Sequence, residues 1–282
     1  MIKYIIMEDI NNRLNEAMQI EKGNMNVKVY AQCLSFIDLT SLNTTDTVAK
    51  ISVMTDKVNS FKTTFPNYPQ VAAMCVYPNF AATVKSNLKD SNVSIAVVGG
   101  VFPSSQSFLE VKILECKMAV EQGADEVDIV LSLNNFLSDH NELAAKEISE
   151  IKKAIGDAHL KVILESGSLK EPELIYKASV MAMEAGAHFI KTSTGKTEPA
   201  ATPEAAVVMC TAIKDYYNKT GRMVGFKPAG GISTPEDAVK YFSIVQTILG
   251  DQWLNSKLFR IGASRLANNL LSLLENRTVN YF

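Results

Sequence analysis

The chain has 282 residues, 47% hydrophobic and 21% charged, and its 28 Lys and Arg against 30 Asp and Glu leave a formal net charge of -2. This composition excludes a disordered or fibrous chain, and near-neutrality without a long basic run excludes a nucleic-acid footprint. The longest apolar runs, such as residues 95–102, fall far short of the ~18 residues a membrane span needs.

The first nine residues hold too short an apolar run for a secretory signal, and Glu8 and Asp9 arrive too early in it, so a cytoplasmic location is expected. Cys33, Cys75, Cys116 and Cys210 lie far apart with no Cys-x-x-Cys pair, which fits reduced thiols better than a disulfide frame or a zinc site. His140, His159 and His188 show no metal-ligand spacing, and neither a metal nor another cofactor is expected.

In chain order, an extension over residues 1–32 carries a helical segment at about 7–20, and short apolar runs then alternate with helical-period segments. Strands are predicted at 35–39, 71–76, 94–98, 126–131, 161–165, 189–193, 224–227 and 259–261, with a tail at 276–282. Thr202-Pro203-Glu204 and Thr234-Pro235-Glu236 read as helix starts, with Thr at the N-cap and Pro first in the helix. Asp46 and Ser168 are candidate caps for two others. Eight strand-helix units, each near the roughly 30 residues of a βαβ step, predict one α/β domain, a single (β/α)8 barrel with an extra N-terminal helix. An open doubly wound sheet is the alternative, but no Gly-x-Gly-x-x-Gly follows the first strand. Gly195-Lys196-Thr197 resembles the end of a P-loop, yet the required first glycine position holds Ile190.

Side chains alternate across a strand, so one parity faces the helices and the other the barrel lumen. With the apolar parity outward, Glu126, Asp128, Lys161, Glu165, Lys191, Lys227 and Arg260 all point inward. Buried charge on this scale is a poor device for stability and marks a site. Chemistry in this fold sits at the C-terminal ends of the strands. That separates Asp128, Glu165, Lys191 and Lys227 from Glu126, Lys161 and Arg260, which read as a structural ion-pair network.

Lys191 and Lys227 fall on adjacent strands. Two crowded ammonium groups drive one of them toward the neutral amine, which is a nucleophile for a carbonyl. Asp128 is placed to exchange protons. The competing explanation is plain pairing of each lysine with Asp128 or Glu165. Parity does not say which lysine attacks. The loops after the last strands, Pro228-Ala229-Gly230-Gly231-Ile232 and Gly262-Ala263-Ser264-Arg265, sit where barrels hold a phosphate, and Gly195 adds a third candidate.

These residues resemble the deoxyribose-phosphate aldolases, Schiff-base enzymes that cleave 2-deoxy-D-ribose 5-phosphate. The most specific matches are Phe189-Ile190-Lys191-Thr192-Ser193-Thr194-Gly195 and Gly225-Phe226-Lys227-Pro228-Ala229-Gly230-Gly231. Segments 36–40, 75–78, 124–128, 160–167 and 260–264 extend the match to seven of the eight strands, in order. The resemblance implies Lys191 as nucleophile, Lys227 as the cation that lowers its pKa, and Asp128 as the proton-transfer carboxylate. It further implies substrate contacts by Asp38, Thr40, Cys75 and Thr194, and phosphate held by Gly195, Gly230, Gly231, Gly262 and Ser264. Arg265 stands where many relatives carry a second serine. Tyr281 near the C-terminus corresponds to a tyrosine that assists proton transfer in some relatives, here in a tail expected to be mobile. The implied partners are phosphorylated sugars and small aldehydes, with no cofactor, nucleic acid or membrane. A homodimer is an expectation from size and fold alone. The rival readings are another Schiff-base sugar-phosphate aldolase and a catalytically silent sugar-phosphate binder on the same barrel.

Overall fold

The computed structural model describes the backbone of residues 2–282 and the side chains of residues 9–282. Eight parallel strands form the sheet: β1 (Ile37–Thr40), β2 (Ala73–Val76), β3 (Ser94–Gly99), β4 (Glu126–Val130), β5 (His159–Ile163), β6 (Phe189–Lys191), β7 (Gly225–Lys227) and β8 (Ile261–Ala263). Their order is β7-β6-β5-β4-β3-β2-β1-β8, and single bridges from Phe226 to Phe259 and from Ala229 to Gly262 join the two edges into a barrel.

Helices α1 (Ile2–Asn24) and α2 (Val27–Ser35) precede the barrel. Around it run α3 (Val48–Thr64), α4 (Ala81–Asn87), α5 (Leu109–Glu121), α6 (Leu133–Leu137), α7 (Asn141–Ala154), α8 (Ser166–Leu169), α9 (Pro172–Glu184), α10 (Pro203–Thr220), α11 (Pro235–Leu249) and α12 (Leu266–Leu274). The outward parity, including Val127, Ile129, Val162, Ile190, Phe226 and Ile261, is buried beneath these helices as expected.

The ends of the elements depart from expectation in ways that matter for the site. The N-terminal helix is longer than 7–20, and a second helix, α2, follows it, capped by Asn26, whose side chain accepts from the Val29 N–H. The first strand therefore starts at Ile37, because Ser35 closes α2 and the Phe36 N–H donates to the Cys33 carbonyl. The eighth begins at Ile261, two residues later than predicted. Thr202 and Thr234 cap α10 and α11 as expected. Asp46 does not cap α3; Thr47 does, and the Asp46 carboxylate instead accepts from the Ser41 hydroxyl and the Asn43 N–H. Ser168 lies inside α8 rather than at a cap, since Pro172 sets the start of α9.

Helix α1 lies across α10 and α11, burying Ile10 and Ala17, and Asn24 Nδ2 ties its end to Ser243 Oγ and Gln246 Oε1, both at 2.9 Å. Inside the barrel, β2 and β3 contribute only Ala73, Cys75, Ala96 and Val98. These small side chains leave the width that long cationic chains from the opposite strands fill. Phe189 forms the floor, with Lys161 Nζ at 5.9 Å and the Arg260 guanidinium at 5.8 Å from its ring centre. Residue 225 must then be glycine, because a Cβ there would stand 2.3 Å from the Phe189 ring. Below this floor His159 and His188 stack at 4.7 Å, a meeting that sequence spacing did not reveal. Their near-parallel rings do not converge on a point.

Candidate active site

Register places the site. Lys191 on β6 stands directly beside Lys227 on β7, and Asp128 on β4 beside Lys161 on β5. All four side chains are buried, as are Asp38, Glu126 and Arg260. Asp128 is the hub: its Oδ2 accepts from Lys191 Nζ at 2.9 Å and Lys227 Nζ at 2.7 Å, and its Oδ1 from Lys161 Nζ at 3.1 Å. Asp38 takes Lys227 on one oxygen and Arg260, at 2.6 Å, on the other. Glu126 accepts from Lys161 and, at 2.8 Å, from Arg260.

The division into an upper reactive set and a lower structural set is thereby corrected. Glu126, Lys161 and Arg260 join Asp38, Asp128, Lys191 and Lys227 in one continuous network. It holds four basic side chains against three carboxylates. Excess charge in a buried cluster is expensive, so the network balances when one base gives up its proton.

The geometry selects which one. Burial, and then the Lys227 ammonium, hold Lys191 below the ordinary lysine range against the pull of Asp128. Burial also opposes charge on Lys227, but Asp128 and Asp38 together outweigh it and push its pKa up. Lys161 is raised likewise, burial being outweighed by Asp128, Glu126 and Asp38. Lys191 meets one carboxylate, Lys227 two and Lys161 three within salt-bridge reach. Burial would raise the Asp128 carboxyl, yet Lys161, Lys191 and Lys227 hold it well below the usual range. Desolvation pushes the Cys75 thiol up, so it stands in the site as a neutral group.

Above Lys191 opens a cavity of about 320 Å³ whose walls include Thr40 and Thr194. Gly195, Gly230, Gly231, Gly262 and Ser264 line its far side, together with Arg265 at the N-terminus of α12. Gly195, Gly230 and Gly231 have φ of 70°, 87° and 78°, the left-handed region where a side chain is strained. Such turns aim successive backbone N–H groups at one spot, an anion-binding concavity. A Cβ on Gly230 would come within 2.6 Å of the Ala200 Cβ and 3.1 Å of the Gly195 Cα. Gly262 has a second task, since a Cβ there would lie 3.2 Å from Lys227 Cε.

Other expected residues sit elsewhere. Asp38 and Cys75 lie beneath the cavity, and both Asp38 oxygens are taken by Lys227 and Arg260, so Asp38 positions Lys227. Among the described residues Glu165 pairs no lysine. It lies past the end of β5 with φ 54° and ψ 55°, and its carboxylate turns to Thr194. Tyr281 is outside the cavity and anchored rather than loose: its hydroxyl donates to the Lys57 carbonyl at 2.7 Å, and its ring stands edge-on to Phe65. The Asn268 Oδ1 accepts from the N–H groups of Tyr281 and Phe282. Sequence reasoning missed Lys196, set aside with the P-loop comparison. It lines the cavity, and its ammonium donates to the Leu42 carbonyl at 2.6 Å.

The family model for the DeoC/LacD family aldolases matches residues 33–249, the barrel through α11. The chain belongs to this aldolase family. A deoxyribose-phosphate aldolase from Homo sapiens is 40% identical over 254 residues, covering 85% of this chain and 78% of its own. A Caenorhabditis elegans protein provisionally named for the same activity is 43% identical over 266 residues, 94% of this chain and 88% of its own. Among solved structures, QR15, an aldolase, is similar at a TM-score of 0.71 and 28% identity over 86% of this chain and 96% of that one. Among the described residues no helix is long and apolar enough to cross a membrane.

Proposed function

We propose that the chain reversibly cleaves 2-deoxy-D-ribose 5-phosphate to acetaldehyde and D-glyceraldehyde 3-phosphate through a Schiff base on Lys191. The observation that carries this reading is the proton shortage around Lys191, a buried amine with one carboxylate partner among better-paired cations, below a phosphate-sized glycine cradle.

The neutral Lys191 amine adds to C1 of the open-chain sugar, and loss of water gives the protonated imine. The C3 hydroxyl then gives up its proton as the C2–C3 bond breaks, and the electron pair flows through C2 to the imine nitrogen. Glyceraldehyde 3-phosphate leaves. The enamine takes a proton at C2, and water releases acetaldehyde and the free amine. With all three lysines charged, Asp128 is held strongly acidic and is a poor base. Its affinity for a proton rises when Lys191 is neutral, because one of its cations has gone. Lys227 remains charged throughout and stabilises the anionic states.

Borohydride reduction in the presence of acetaldehyde, followed by peptide mapping, tests the reading. An ethyl group on Lys191 is expected; a label on another lysine overturns the assignment, and no label indicates a silent binder. The glycine cradle has its own expected result. Gly230→Ala raises KM for the phosphorylated aldehyde by about tenfold or more, one lost charge-assisted contact's worth, and leaves KM for an unphosphorylated aldehyde within about twofold.

The reading includes a homodimer in a cytoplasmic setting. Four buried free thiols support the compartment. For the dimer, Phe108 at the N-cap of α5 and Val111, Leu114 and Met118 along it form an exposed apolar stripe, with Phe108 78% exposed. The stripe offers roughly 400 Å², about half of one partner's share in a standard interface, and in this reading it forms the centre of a two-fold contact with a second copy of α5. Light scattering should give twice the chain mass, falling to the monomer in Met118→Lys; a monomeric parent rejects this assembly.

A further inference from the structure

We infer that Glu165 is a positioning residue that fixes Thr194 as a hydrogen-bond acceptor toward the substrate, and thereby sets a preference for aldehydes that carry a hydroxyl beside the carbonyl. This rests on the aldolase reading above but concerns a residue outside the network of charges.

Glu165 is 4% exposed and does not line the cavity. It is the second residue beyond β5, and its backbone takes a left-handed conformation that a non-glycine residue adopts only when its surroundings over-determine it. That turn swings the carboxylate away from the lysines, toward the loop after β6. There Oε1 accepts from the Thr194 N–H at 3.0 Å and Oε2 from the Thr194 hydroxyl at 2.6 Å. Both bonds end on one residue, and that residue does line the cavity, beside Lys191.

The consequence follows from the inventory of a hydroxyl, which has one proton and two lone pairs. The Thr194 proton is committed to Glu165. One lone pair is filled by the Lys196 N–H, which donates to Thr194 Oγ1 at 3.1 Å. A single lone pair remains, and it can only accept. The group it accepts from must be a donor, and on the substrate skeleton between the imine carbon and the phosphate the donors are hydroxyls. An aldehyde lacking that hydroxyl leaves this lone pair without a donor, and a site built to hydrogen-bond a substrate hydroxyl discriminates against the analogue that lacks it. In Glu165→Gln the side-chain amide faces Thr194 with an N–H₂ in place of one acceptor. Its N–H fills the free lone pair and turns the Thr194 proton toward the cavity.

The test compares two acceptors in the synthetic direction with acetaldehyde: D-glyceraldehyde 3-phosphate, and 3-phosphooxypropanal, which lacks the 2-hydroxyl. The ratio of their kcat/KM values in the parent should fall at least about tenfold in Glu165→Gln. Thr194→Val should lose the ratio too, and adding Glu165→Gln to Thr194→Val should change it no further. Thr194→Ser, which keeps the hydroxyl, should retain it. A structural role alone lowers both acceptors together, so an unchanged ratio in soluble Glu165→Gln overturns the inference. If that variant does not fold, a ratio preserved in Thr194→Val overturns it instead. Borohydride trapping on each variant keeps the two questions apart, since a parent that forms no adduct sinks the aldolase reading and not the role of Glu165.

Discussion

Lys191→Met is expected to lower kcat by roughly four orders of magnitude or more, the scale at which a covalent nucleophile is lost, while the protein stays at least as stable as the parent. The second half is the sharper test. A buried lysine that is charged and paired costs about 3–5 kcal/mol when its partner is left alone. Lys191 is different, because the network already carries one base more than its carboxylates can match. Removing it leaves three cations for three carboxylates, and Asp128 keeps Lys161 and Lys227. Thermal unfolding at neutral pH should give an equal or higher Tm. A Tm several degrees lower would mean that Lys191 is an ammonium in the folded protein, and the balance proposed for the network would be wrong.

Asp128→Asn should do the opposite to stability and move the pH profile in a direction that a simple base would not. Three lysines lose their shared carboxylate, so the fold should be destabilised by about 3–5 kcal/mol near pH 7. The sign with pH is fixed by the depressed folded-state pKa of Asp128. Its contribution is present above the ordinary value of 3.8 and is lost as the pH falls from there toward the folded value. The gap between parent and variant should therefore be widest at neutral pH and close in acid. Turnover should fall by about 10²–10⁴-fold, the range of a general acid-base group. Asp128 is also the first influence that raises the Lys191 pKa, against burial and Lys227. Without it the amine is neutral to lower pH, and the acid limb of kcat/KM shifts downward. A shift upward would place the titrating group elsewhere.

Strand alternation made much of this site legible before any coordinates. Phase alone put Asp128, Lys161, Lys191, Lys227 and Arg260 inside, and they are inside, because a two-residue period leaves few ways to bury Val127, Ile129, Val162 and Phe226. Which lysine attacks was illegible for a physical reason. It depends on how many carboxylates each amine meets, and Asp38, the second partner of Lys227, comes from a strand 189 residues away in sequence. Glu165 was misread because alternation was extended past the end of β5, where the chain turns left-handed. α2 was missed for want of length, since nine residues make only about two and a half helical turns. The anchored tail was missed because each bond to Asn268 and Lys57 joins one side chain to a backbone group distant in sequence or around a turn, which composition does not display.

The narrow side chains that β2 and β3 turn inward constrain how this barrel can change. Ala73 and Ala96 mark the footprint of amines and a guanidinium arriving from across the lumen, and Gly225 marks that of the Phe189 ring beneath them. A bulkier residue at any of these positions is incompatible with the side chains it would meet, basic ones at Ala73 and Ala96 and the Phe189 ring at Gly225. Variation at the bottom of the barrel must then come as matched exchanges, one chain lengthening as its counterpart shortens. Shape complementarity in this interior protects the electrostatic balance from single-step drift.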